Sequence, residues 1–378
     1  MVDRQEALEL HSENPGKLSV ECSVDVESLE DLDLVYTPGV AEPCRQIDED
    51  EEKVYEYTSK DNLVAVVSNG SAVLGLGDIG PEAAMPVMEG KANLMKKFGG
   101  VDGFPICINA DSVEEIVEHV EREAPTFGAI NLEDIEAPEC FEVERELKQR
   151  LDIPVFHDDQ HGTAIVVLAA LENALELGGK RLEDSRIVIS GAGASGIAVA
   201  EFLLEAGAEK IVPLDSSGIL RTNDENRYKA ELAEKTLVSE EFGSLEDVME
   251  GADVFIGLSA PGIVSKEMVE SMSDKPIVFA LANPEPEIEP GEAKEAGAFI
   301  TATGRSDFDN QVNNSLAFPG VFRGALDARA SEINQEMKKA ASEAIRDFIE
   351  PERDRIVPET LDRELAMEIA EEVEKVAD

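Results

Sequence analysis

The feature that most constrains the fold is a strand-like run that leads directly into the glycine pattern Gly191-Ala-Gly193-Ala-Ser-Gly196. An apolar helical pattern, 197–206, follows it, and the next strand-like run ends in Asp215, about 20 residues after the pattern. Glycines here let a pyrophosphate approach a helix N-terminus, and the carboxylate can bind ribose hydroxyls. We therefore predict a dinucleotide site, the alternative being a tight turn without a ligand. Its predicted residues are Gly191, Gly193, Ala194, Ser195, Gly196 and Asp215.

The choice of coenzyme stays open at this point. The charge of Asp215 favours NAD, because the 2′-phosphate of NADP would lie beside a carboxylate. Arg221, six residues further on, could reach such a phosphate. The same glycine pattern occurs at Gly75-Leu-Gly77-Asp-Ile-Gly80, but it continues into Pro81 and no acid ends a following strand. We interpret this earlier pattern as a glycine-rich loop that could face the cleft.

Strand and helix patterns alternate along most of the chain, which predicts an α/β fold of two domains with mostly parallel sheets. Residues 1–161 form the predicted N-terminal substrate and metal domain, and residues 162–378 the predicted Rossmann-type, doubly wound domain with an acidic helical tail. The predicted strands of the first domain are 63–67, 104–108, 127–130 and 153–156, and those of the second are 186–189, 210–214, 253–256, 276–281 and 298–300. The predicted helices are 88–98, 112–122, 140–150, 163–177 and 197–206.

The net charge of the chain is −49, from 33 basic and 82 acidic residues. This charge excludes nucleic acid and anionic membranes as partners and predicts a salt-adapted protein, because self-repulsion needs screening. The alternative is a merely acidic protein of ordinary salt tolerance. The start of the chain lacks the basic and apolar regions of a signal peptide, and no apolar run is long enough for a membrane span. We therefore expect a cytoplasmic protein.

Two acidic pairs follow strand-like runs, Glu133-Asp134 and Asp158-Asp159. Chance alone gives about 18 adjacent acidic pairs in this composition, so position matters more than the pairs themselves. Carboxylates at the ends of parallel strands face the ligand crevice and together suit Mg²⁺ or Mn²⁺. The alternative is exposed loop acids. His157 and His161 have zinc-like spacing, but no third ligand of the usual type is near.

Several further segments follow one another in a specific order along the chain. They are Tyr36-Thr-Pro-Gly-Val-Ala41, Leu74-Gly-Leu-Gly-Asp78, Pro86-Val-Met-Glu-Gly-Lys91, Ile130-Asn-Leu-Glu-Asp134, His157-Asp-Asp-Gln-His-Gly-Thr163, Ala280-Leu-Ala-Asn-Pro284, Thr303-Gly-Arg305, Asn310-Gln-Val-Asn-Asn314 and Phe318-Pro-Gly320. These segments resemble the malic enzymes, especially the small-subunit prokaryotic branch, and the resemblance extends from about residue 15 to residue 345. It implies oxidative decarboxylation of L-malate to pyruvate and CO₂, with reduction of NAD or NADP and a divalent metal.

The same resemblance implies roles for individual residues. Glu133, Asp134 and Asp159 match the metal ligands, and Asp158 a neighbouring acid of the site. Lys91 matches the general base, Tyr36 the general acid, and Asn283 and Asn314 substrate-binding amides, with Asn283 also beside the coenzyme. Without the resemblance, Tyr36 reads as a ring packed at a turn, Lys91 as a solvated helix residue and the asparagines as turn residues. Large-subunit malic enzymes have an arginine shortly before the segment that matches Gly75–Asp78, and it binds a malate carboxylate. Residues 71–74 of this chain are Ser-Ala-Val-Leu instead, so Asn283, Asn314 or backbone amides would bind the malate carboxylates.

Two other classes of protein remain as alternatives. A metal-independent, two-domain amino-acid dehydrogenase shares the plan of a lysine and a Rossmann domain but does not need the acidic pairs. A non-catalytic NAD(P) sensor needs neither Lys91 nor Tyr36. The expected partner is a small-molecule substrate, and we expect a homodimer or a higher homo-oligomer.

Overall fold

The computed structural model describes residues 4–14, 16–73, 75–237, 243–360 and 362–377, so Leu74 of the Leu74–Asp78 segment lies outside the described residues. A first sheet has four parallel strands in the order β2-β1-β3-β4. Val64 to Val67 of the central strand β1 are at most 1 % exposed, because both faces of the sheet are covered. The strands are β1 (Leu63–Ser68), β2 (Asp102–Cys107), β3 (Ala129–Leu132) and β4 (Val155–His157).

Helices alternate with these strands and cover the sheet. The amphipathic helix α6 buries Ile116, Val117 and Val120 on one face, a spacing typical of a surface helix. Helix α5 continues into a π-helical turn at Met95–Gly99. The helices are α5 (Pro81–Leu94), α6 (Val113–Glu123) and α7 (Glu139–Arg150).

Helix α8 (Asp158–Gly178) joins the two halves of the molecule. It begins immediately after β4, at the second acidic pair, and ends before Gly179, whose φ of 70° is a left-handed helix stop. Every residue from Ala164 to Leu171 is buried, since the helix packs against α9 (Ala194–Glu205) and α15 (Gln335–Asp347). A helix that is apolar on all sides is one that lies within the core.

A second sheet of six strands has the order β10-β9-β8-β5-β6-β7. All pairs are parallel except β6 with β7, and β5 lies between β6 and β8, so the order of connection reverses there. Ligands of such sheets bind at the carboxyl ends of strands beside this reversal. The strands are β5 (Arg186–Ser190), β6 (Lys210–Asp215), β7 (Gly218–Ile219), β8 (Val254–Gly257), β9 (Ile277–Ala280) and β10 (Ile300–Thr303), and the helices between them are α10 (Arg227–Lys235), α11 (Leu245–Met249), α12 (Lys266–Glu270) and α13 (Pro290–Glu295).

The predicted fold class is confirmed: the chain is α/β, with a parallel first sheet and a Rossmann-type second sheet. Each of the nine longer strands overlaps its predicted run, although their ends differ by up to three residues. The two-residue strand β7 was not predicted, because it is too short to show a pattern. Helix α8 begins five residues before the predicted helix, because polar residues fill its first turn.

The C-terminal helices lie against the end of α5 and against α8, and Arg353, between the last two of them, donates hydrogen bonds to Phe299 O just before β10. Arg323 of α14 donates a hydrogen bond of 2.5 Å to the side chain of Asn62, just before β1. Helix α14 packs against α16, and both contact the π-helical turn after α5. The helices are α14 (Phe318–Asp327), α15 and α16 (Arg363–Val376). The tail thus connects the two parts of the molecule.

The N-terminal arm, which we define as residues 16–59, contains no buried residue. Its helices are α2 (Leu29–Val35), α3 (Ala41–Glu49) and α4 (Val54–Tyr57), and α1 (Arg4–Glu13) precedes it. Large apolar side chains are nevertheless exposed along it, including Val20 at 90 %, Leu29 at 80 % and Leu34 at 69 %. Covering these side chains with another surface would be favourable. Among the described residues, no helix has the length and apolar character required to cross a bilayer.

Candidate functional site

Lys91 is a buried lysine at the centre of the first candidate site. It lies on α5, is 8 % exposed, and its Nζ is 2.6 Å from Asp158 Oδ2 and 2.8 Å from Glu133 Oε1. The same Nζ lies 4.4 Å from the centre of the Phe318 ring of α14. The interpretation of Lys91 as a solvated helix residue is therefore wrong: its charge is held between two acids and an aromatic face.

The two acidic pairs meet at the carboxyl ends of β3 and β4. Asp134 has a φ of 51°, a left-handed conformation that aspartate tolerates better than most residues and that turns the chain after β3. Its backbone N–H donates a 2.9 Å hydrogen bond to Asp159 Oδ2 at the start of α8. Glu133, Asp134 and Asp158 are at most 4 % exposed. The alternative of exposed loop acids is therefore wrong for these three residues.

Three of these carboxylates form a group that fits a cation. One oxygen each from Glu133, Asp134 and Asp159 lies within 4.8 Å of the others. Together with Asp158 they are four acids, and Lys91 supplies a single compensating charge to them. An all-oxygen group with excess negative charge suits a hard divalent ion such as Mg²⁺ or Mn²⁺.

The pKa values of the cluster reflect the same imbalance. Burial raises the pKa of Asp158 to about 6, and Lys91 opposes that rise. Burial also raises the pKa values of Glu133 and Asp159, and neighbouring carboxylates add to the effect. Burial disfavours the charge of Lys91, but Asp158, Glu133 and Asp159 outweigh it and raise its pKa above the ordinary value. The lysine is protonated as long as those carboxylates remain uncompensated.

Gly162 in the first turns of α8 allows a close approach between Asp158 and Asn314. A Cβ atom at this position would lie 1.9 Å from Asp158 Oδ1 and 3.1 Å from Asn314 Cβ, so a side chain cannot be accommodated. Asn314 is half-buried and begins a short 3₁₀ turn before α14. The structure thus brings Asn314 to the acidic cluster.

The second glycine pattern forms the loop between β5 and α9. Gly191 has a φ of 115°, and a Cβ at Gly196 would lie 1.9 Å from Gly191 O, so both positions need glycine. Gly193 precedes the first residue of α9, Ala194, and leaves the helix N-terminus open. Ser195 Oγ donates a 2.8 Å hydrogen bond to Asp159 O, which ties this loop to the acidic cluster.

A cavity of about 560 Å³ lies at the carboxyl end of the second sheet. Its lining includes Ser190, directly before the glycine loop, Asp215 with the turn that follows β6, and Ser259 after β8. The cavity is at the strand reversal, where the fold class places its ligand. The predicted coenzyme residue Asp215 therefore faces a cavity.

Asn283 lies at the end of β9 and contacts the earlier glycine loop. A Cβ at Gly75 would lie 3.0 Å from Pro284 Cδ and 3.5 Å from Asn283 O. The loop after β9 is anchored by the buried Glu287, whose carboxylate accepts hydrogen bonds from the backbone N–H groups of Ala282, at 3.1 Å, and Ser259, at 2.9 Å. The earlier glycine loop thus lies against the end of the second sheet.

Tyr36 is the one predicted site residue that lies in the exposed arm. It is 67 % exposed, and its backbone bonds are to Leu32 and Val40 of the same arm. Within the described part of the chain, no hydrogen bond or ion pair joins it to Lys91 or to the acidic pairs. The structure brings together the other predicted catalytic and metal residues without Tyr36.

Sequence reasoning missed three buried polar residues that hold parts of the site in place, Asn131, Glu144 and Glu287. Asn131 of β3 donates a 2.9 Å hydrogen bond to Glu133 Oε2. Glu144 of α7 accepts a bond from the backbone of His157 and contacts His161 Nε2 at 2.9 Å. Glu144 thus contacts both residues of the pair, the ring of His161 and the backbone of His157. A polar residue within a buried strand was the signal for Asn131, whereas nothing marked Glu144 or Glu287 among so many acids.

Comparisons with known proteins agree over nearly the whole chain. The family model for the malic enzyme N-terminal domain matches residues 16–148, and that for the malic enzyme NAD-binding domain matches residues 160–378. A bifunctional malic/malolactic enzyme of Bacillus subtilis is 55 % identical and is aligned over 99 % of this chain and 93 % of its own length. An NADP-dependent malic enzyme of Halomonas elongata is 50 % identical over 96 % of this chain and 86 % of its own. The crystal structure of an NAD-dependent malic enzyme from Thermotoga maritima superposes with a TM-score of 0.95 at 49 % identity, covering 99 % of both chains.

Proposed function

The chain belongs to the malic enzyme family, and on this basis we propose how its own residues carry the reaction. It is an NAD(P)-dependent oxidoreductase that oxidises and decarboxylates L-malate to pyruvate and CO₂. The observation that carries this conclusion is the buried Lys91 between Asp158 and Glu133, beside three carboxylates that fit a divalent cation. An amino-acid dehydrogenase would not need those carboxylates, and a coenzyme sensor would not need the lysine.

Lys91 is the proposed base for the C2 hydroxyl of malate. Its Nζ is aimed by Asp158 and Glu133, which accept its hydrogen bonds, so its position does not depend on the substrate. A base must be neutral when it takes a proton, and the surrounding carboxylates oppose that state. Any positive charge that offsets Glu133 and Asp159 therefore makes Lys91 a better proton acceptor.

Glu133, Asp134 and Asp159 are the proposed metal ligands, and the hydrogen bond from Asn131 fixes the position of Glu133. These three carboxylates would hold Mg²⁺ or Mn²⁺, which would supply Lewis-acid charge at the C2 oxygen of the substrate. The ligands come from the end of β3 and the start of α8, and the hydrogen bond from Asp134 N to Asp159 Oδ2 fixes one segment to the other. The three carboxylates are thus preorganised by the backbone.

The coenzyme site is proposed for the loop at Gly191, Gly193, Ala194, Ser195 and Gly196, with Asp215 at the ribose. Ser195 binds the backbone of Asp159, so the pyrophosphate loop and the acidic cluster share one wall of the cleft. Asn314, beside Asp158, and Asn283, at the end of β9, are the proposed substrate amides, with Asn283 also near the nicotinamide end of the coenzyme.

Tyr36 is the proposed acid that protonates the enol carbon of the product. Because it lies in the exposed arm, this role requires that the arm of this chain, or of a second copy, covers the site. We propose a homodimer in which a second copy covers the apolar surface of the arm, which includes Val20, Leu29 and Leu34. Burial of such side chains provides a favourable free energy of association.

Four further features belong to the same proposal. The domain division is 1–161 and 162–378, and the helices α14 and α16 then form contacts between the two domains. The chain is proposed to belong to the small-subunit prokaryotic branch of the family. Its net charge of −49 supports a salt-adapted protein from a halophile, and it is proposed to act in the cytoplasm.

The direct test is an initial-rate measurement with L-malate and either NAD or NADP, in KCl from about 0.1 to 3 M, a range that reduces the Debye length from about 10 Å to below 3 Å. Pyruvate and CO₂ are measured as products, with and without Mn²⁺. Equal amounts of reduced coenzyme, pyruvate and CO₂, formed only with the metal, are expected. Turnover of an amino acid instead of malate, or coenzyme binding without turnover, would contradict the proposed function.

A further inference from the structure

Asp215, which lines the proposed coenzyme cavity, forms an ion pair with Lys229 of helix α10. Lys229 Nζ lies 2.6 Å from Asp215 Oδ2, and the two side chains are 23 % and 15 % exposed. The other oxygen, Oδ1, accepts a 2.7 Å hydrogen bond from the backbone N–H of Ser217. The carboxylate is therefore fixed in place by the turn, while its charge is balanced by a side chain from helix α10.

This balance changes what the cavity can accept. A lone carboxylate after the second strand of such a sheet binds the two ribose hydroxyls of NAD and repels the 2′-phosphate of NADP. Here the paired lysine cancels the negative charge of Asp215. Burial opposes the charge of this carboxylate, but the hydrogen bonds from Lys229 and Ser217 and the positive charges of Lys229 and Arg221 outweigh it and lower the pKa of Asp215. A 2′-phosphate would meet a wall without net negative charge.

Lys229 also has the means to follow the ligand. Its ammonium is the end of a flexible four-carbon chain with three donors, whereas Asp215 is held by the backbone of Ser217. Lys229 can thus turn from Asp215 towards a phosphate without moving helix α10. The relatives are consistent with either coenzyme, since a similar identity is found to an NADP-dependent enzyme, at 50 %, and to an NAD-dependent one, at 49 %.

We propose that the Asp215–Lys229 pair lets this chain use both coenzymes: Asp215 binds the ribose hydroxyls of NAD, and Lys229 binds the 2′-phosphate of NADP. The inference rests on the proposed function, because it takes the cavity as the coenzyme site. It assigns the choice of coenzyme to one movable side chain.

The test is the direct binding of NADH and NADPH, followed by the fluorescence of the reduced nicotinamide at one fixed KCl concentration. We expect the wild type to bind both within about tenfold of each other, because the lysine can replace the bonds that the carboxylate cannot make. Lys229→Met is expected to weaken NADPH by about tenfold or more, the range of a lost charge-assisted hydrogen bond, and to leave NADH within about threefold. Asp215→Asn is expected to do the reverse and weaken NADH only.

Lys235→Met is the matched control. Lys235 lies on the same helix α10 and is also paired with an acid at 2.9 Å, but it is 54 % exposed and its partner is Glu201, which does not line the cavity. Its loss should change neither affinity. Calorimetry with 2′,5′-ADP and 5′-AMP, which differ only in the 2′-phosphate, gives a second measurement, in which Lys229→Met should weaken 2′,5′-ADP alone.

Each outcome decides the inference. Equal weakening of NADH and NADPH by Lys229→Met would assign the lysine a structural role and overturn it. NADPH binding about 100-fold weaker than NADH in the wild type, or the reverse, would overturn it as well, because the pair would then not serve both coenzymes. If both coenzymes bind and Lys229→Met has no effect, only the inference fails. If neither binds, the proposed function fails with it.

Discussion

The Nζ atom of Lys91 lies 2.6 Å from Oδ2 of Asp158, and neither side chain is more than 9 % exposed. A lysine held so closely by a buried acid keeps one orientation whether or not a substrate is bound. The pair thus provides a fixed position for proton transfer, and it joins helix α5 of the first sheet to the first residue of α8.

Replacing Lys91 tests its role as the base. Lys91→Ala should reduce the rate of malate oxidation by about 10² to 10⁴, the usual contribution of a positioned acid–base group. The affinity for the coenzyme should be unchanged, since the loop at Gly191 to Gly196 is not altered. A small added amine should restore part of the rate. Lys96→Ala is the control, because Lys96 pairs with Asp102 at an exposed position. A folded Lys91→Ala protein with a rate within threefold of the wild type would refute the assignment.

Replacing Asp159 tests the metal site. Asp159→Asn removes one negative charge from the three carboxylates, so we expect the Mn²⁺ concentration for half-maximal rate to rise by about tenfold or more. Direct Mn²⁺ binding, followed by electron paramagnetic resonance, should weaken in parallel. Glu136→Gln, at an exposed position two residues after Asp134, should change neither quantity. Full malate turnover in thoroughly metal-stripped wild-type protein would rule out the site.

Two glycines of the coenzyme loop should separate folding from binding. A Cβ at Gly196 would lie 1.9 Å from the backbone of Gly191, whereas a Cβ at Gly193 would meet nothing within 4 Å. Gly196→Ala should therefore lower the melting temperature. Gly193→Ala should keep it within about 2 °C of the wild type, since a surface change costs about 0.5 kcal/mol or less. Gly193→Ala should still weaken the binding of NADH, because its methyl group would take the space that the pyrophosphate needs. Unchanged NADH affinity in Gly193→Ala would place the coenzyme elsewhere.

The net charge of −49 predicts a melting temperature that rises with salt. Screening at about 1 M reduces the Debye length to about 3 Å and weakens the repulsion between acidic surfaces. Differential scanning calorimetry in KCl from about 0.1 to 3 M measures the effect. Sucrose is the control, because it favours the compact state without screening charge. A melting temperature independent of KCl would contradict salt adaptation.

Buried Lys338 predicts a pH dependence of stability. Burial lowers its pKa from 10.5 to about 8, so between these values the unfolded chain holds a proton that the folded chain has released. The free energy of unfolding therefore rises with pH across this window, by up to about 3 kcal/mol from this group. The stability of Lys338→Met relative to the wild type should be greatest near pH 7 and decrease as pH increases towards 10. Lys339→Met, which removes the exposed neighbour that pairs with Glu343, should show no such trend in urea unfolding.

The strands could be predicted from sequence because both sheets are covered on both faces, so their strands are continuous apolar runs such as Val64 to Val67. The coenzyme loop could be predicted because its glycines are required by contacts within the loop itself, such as the close approach of Gly196 to the backbone of Gly191. The role of Lys91 could not be predicted in this way. Its environment is made by Asp158, 67 residues away, and by Phe318 from the C-terminal tail, so no local sequence pattern indicates it. The resemblance to the family, and not the physics of the sequence, identified Lys91.

Glu144 and Lys229 are two further residues whose partners could not be predicted from the sequence. Each is an ordinary charged residue on a helix, and only the fold gives it a specific partner: His161 for Glu144 and Asp215 for Lys229. In a chain with 82 acids, a single carboxylate carries almost no information by itself. Long-range pairing was therefore the part of the site that sequence could not supply.

Helix α8 and the arm differ in what holds them in place. Asp158 and Asp159 lie in the first turn of a 21-residue helix whose middle is buried between α9 and α15, and Glu133 and Asp134 follow the buried strand β3, so the four acids can separate only when the core itself opens. The arm has no buried residue, and hydrogen bonds attach its start to α5, from the backbone N–H of Lys17 to Glu89 at 3.1 Å and from Lys17 Nζ to Pro86 O at 2.9 Å. The proposed base and ligands therefore keep their positions as long as the core is folded, whereas the position of Tyr36 depends on a segment that adds no fully buried side chain to that core.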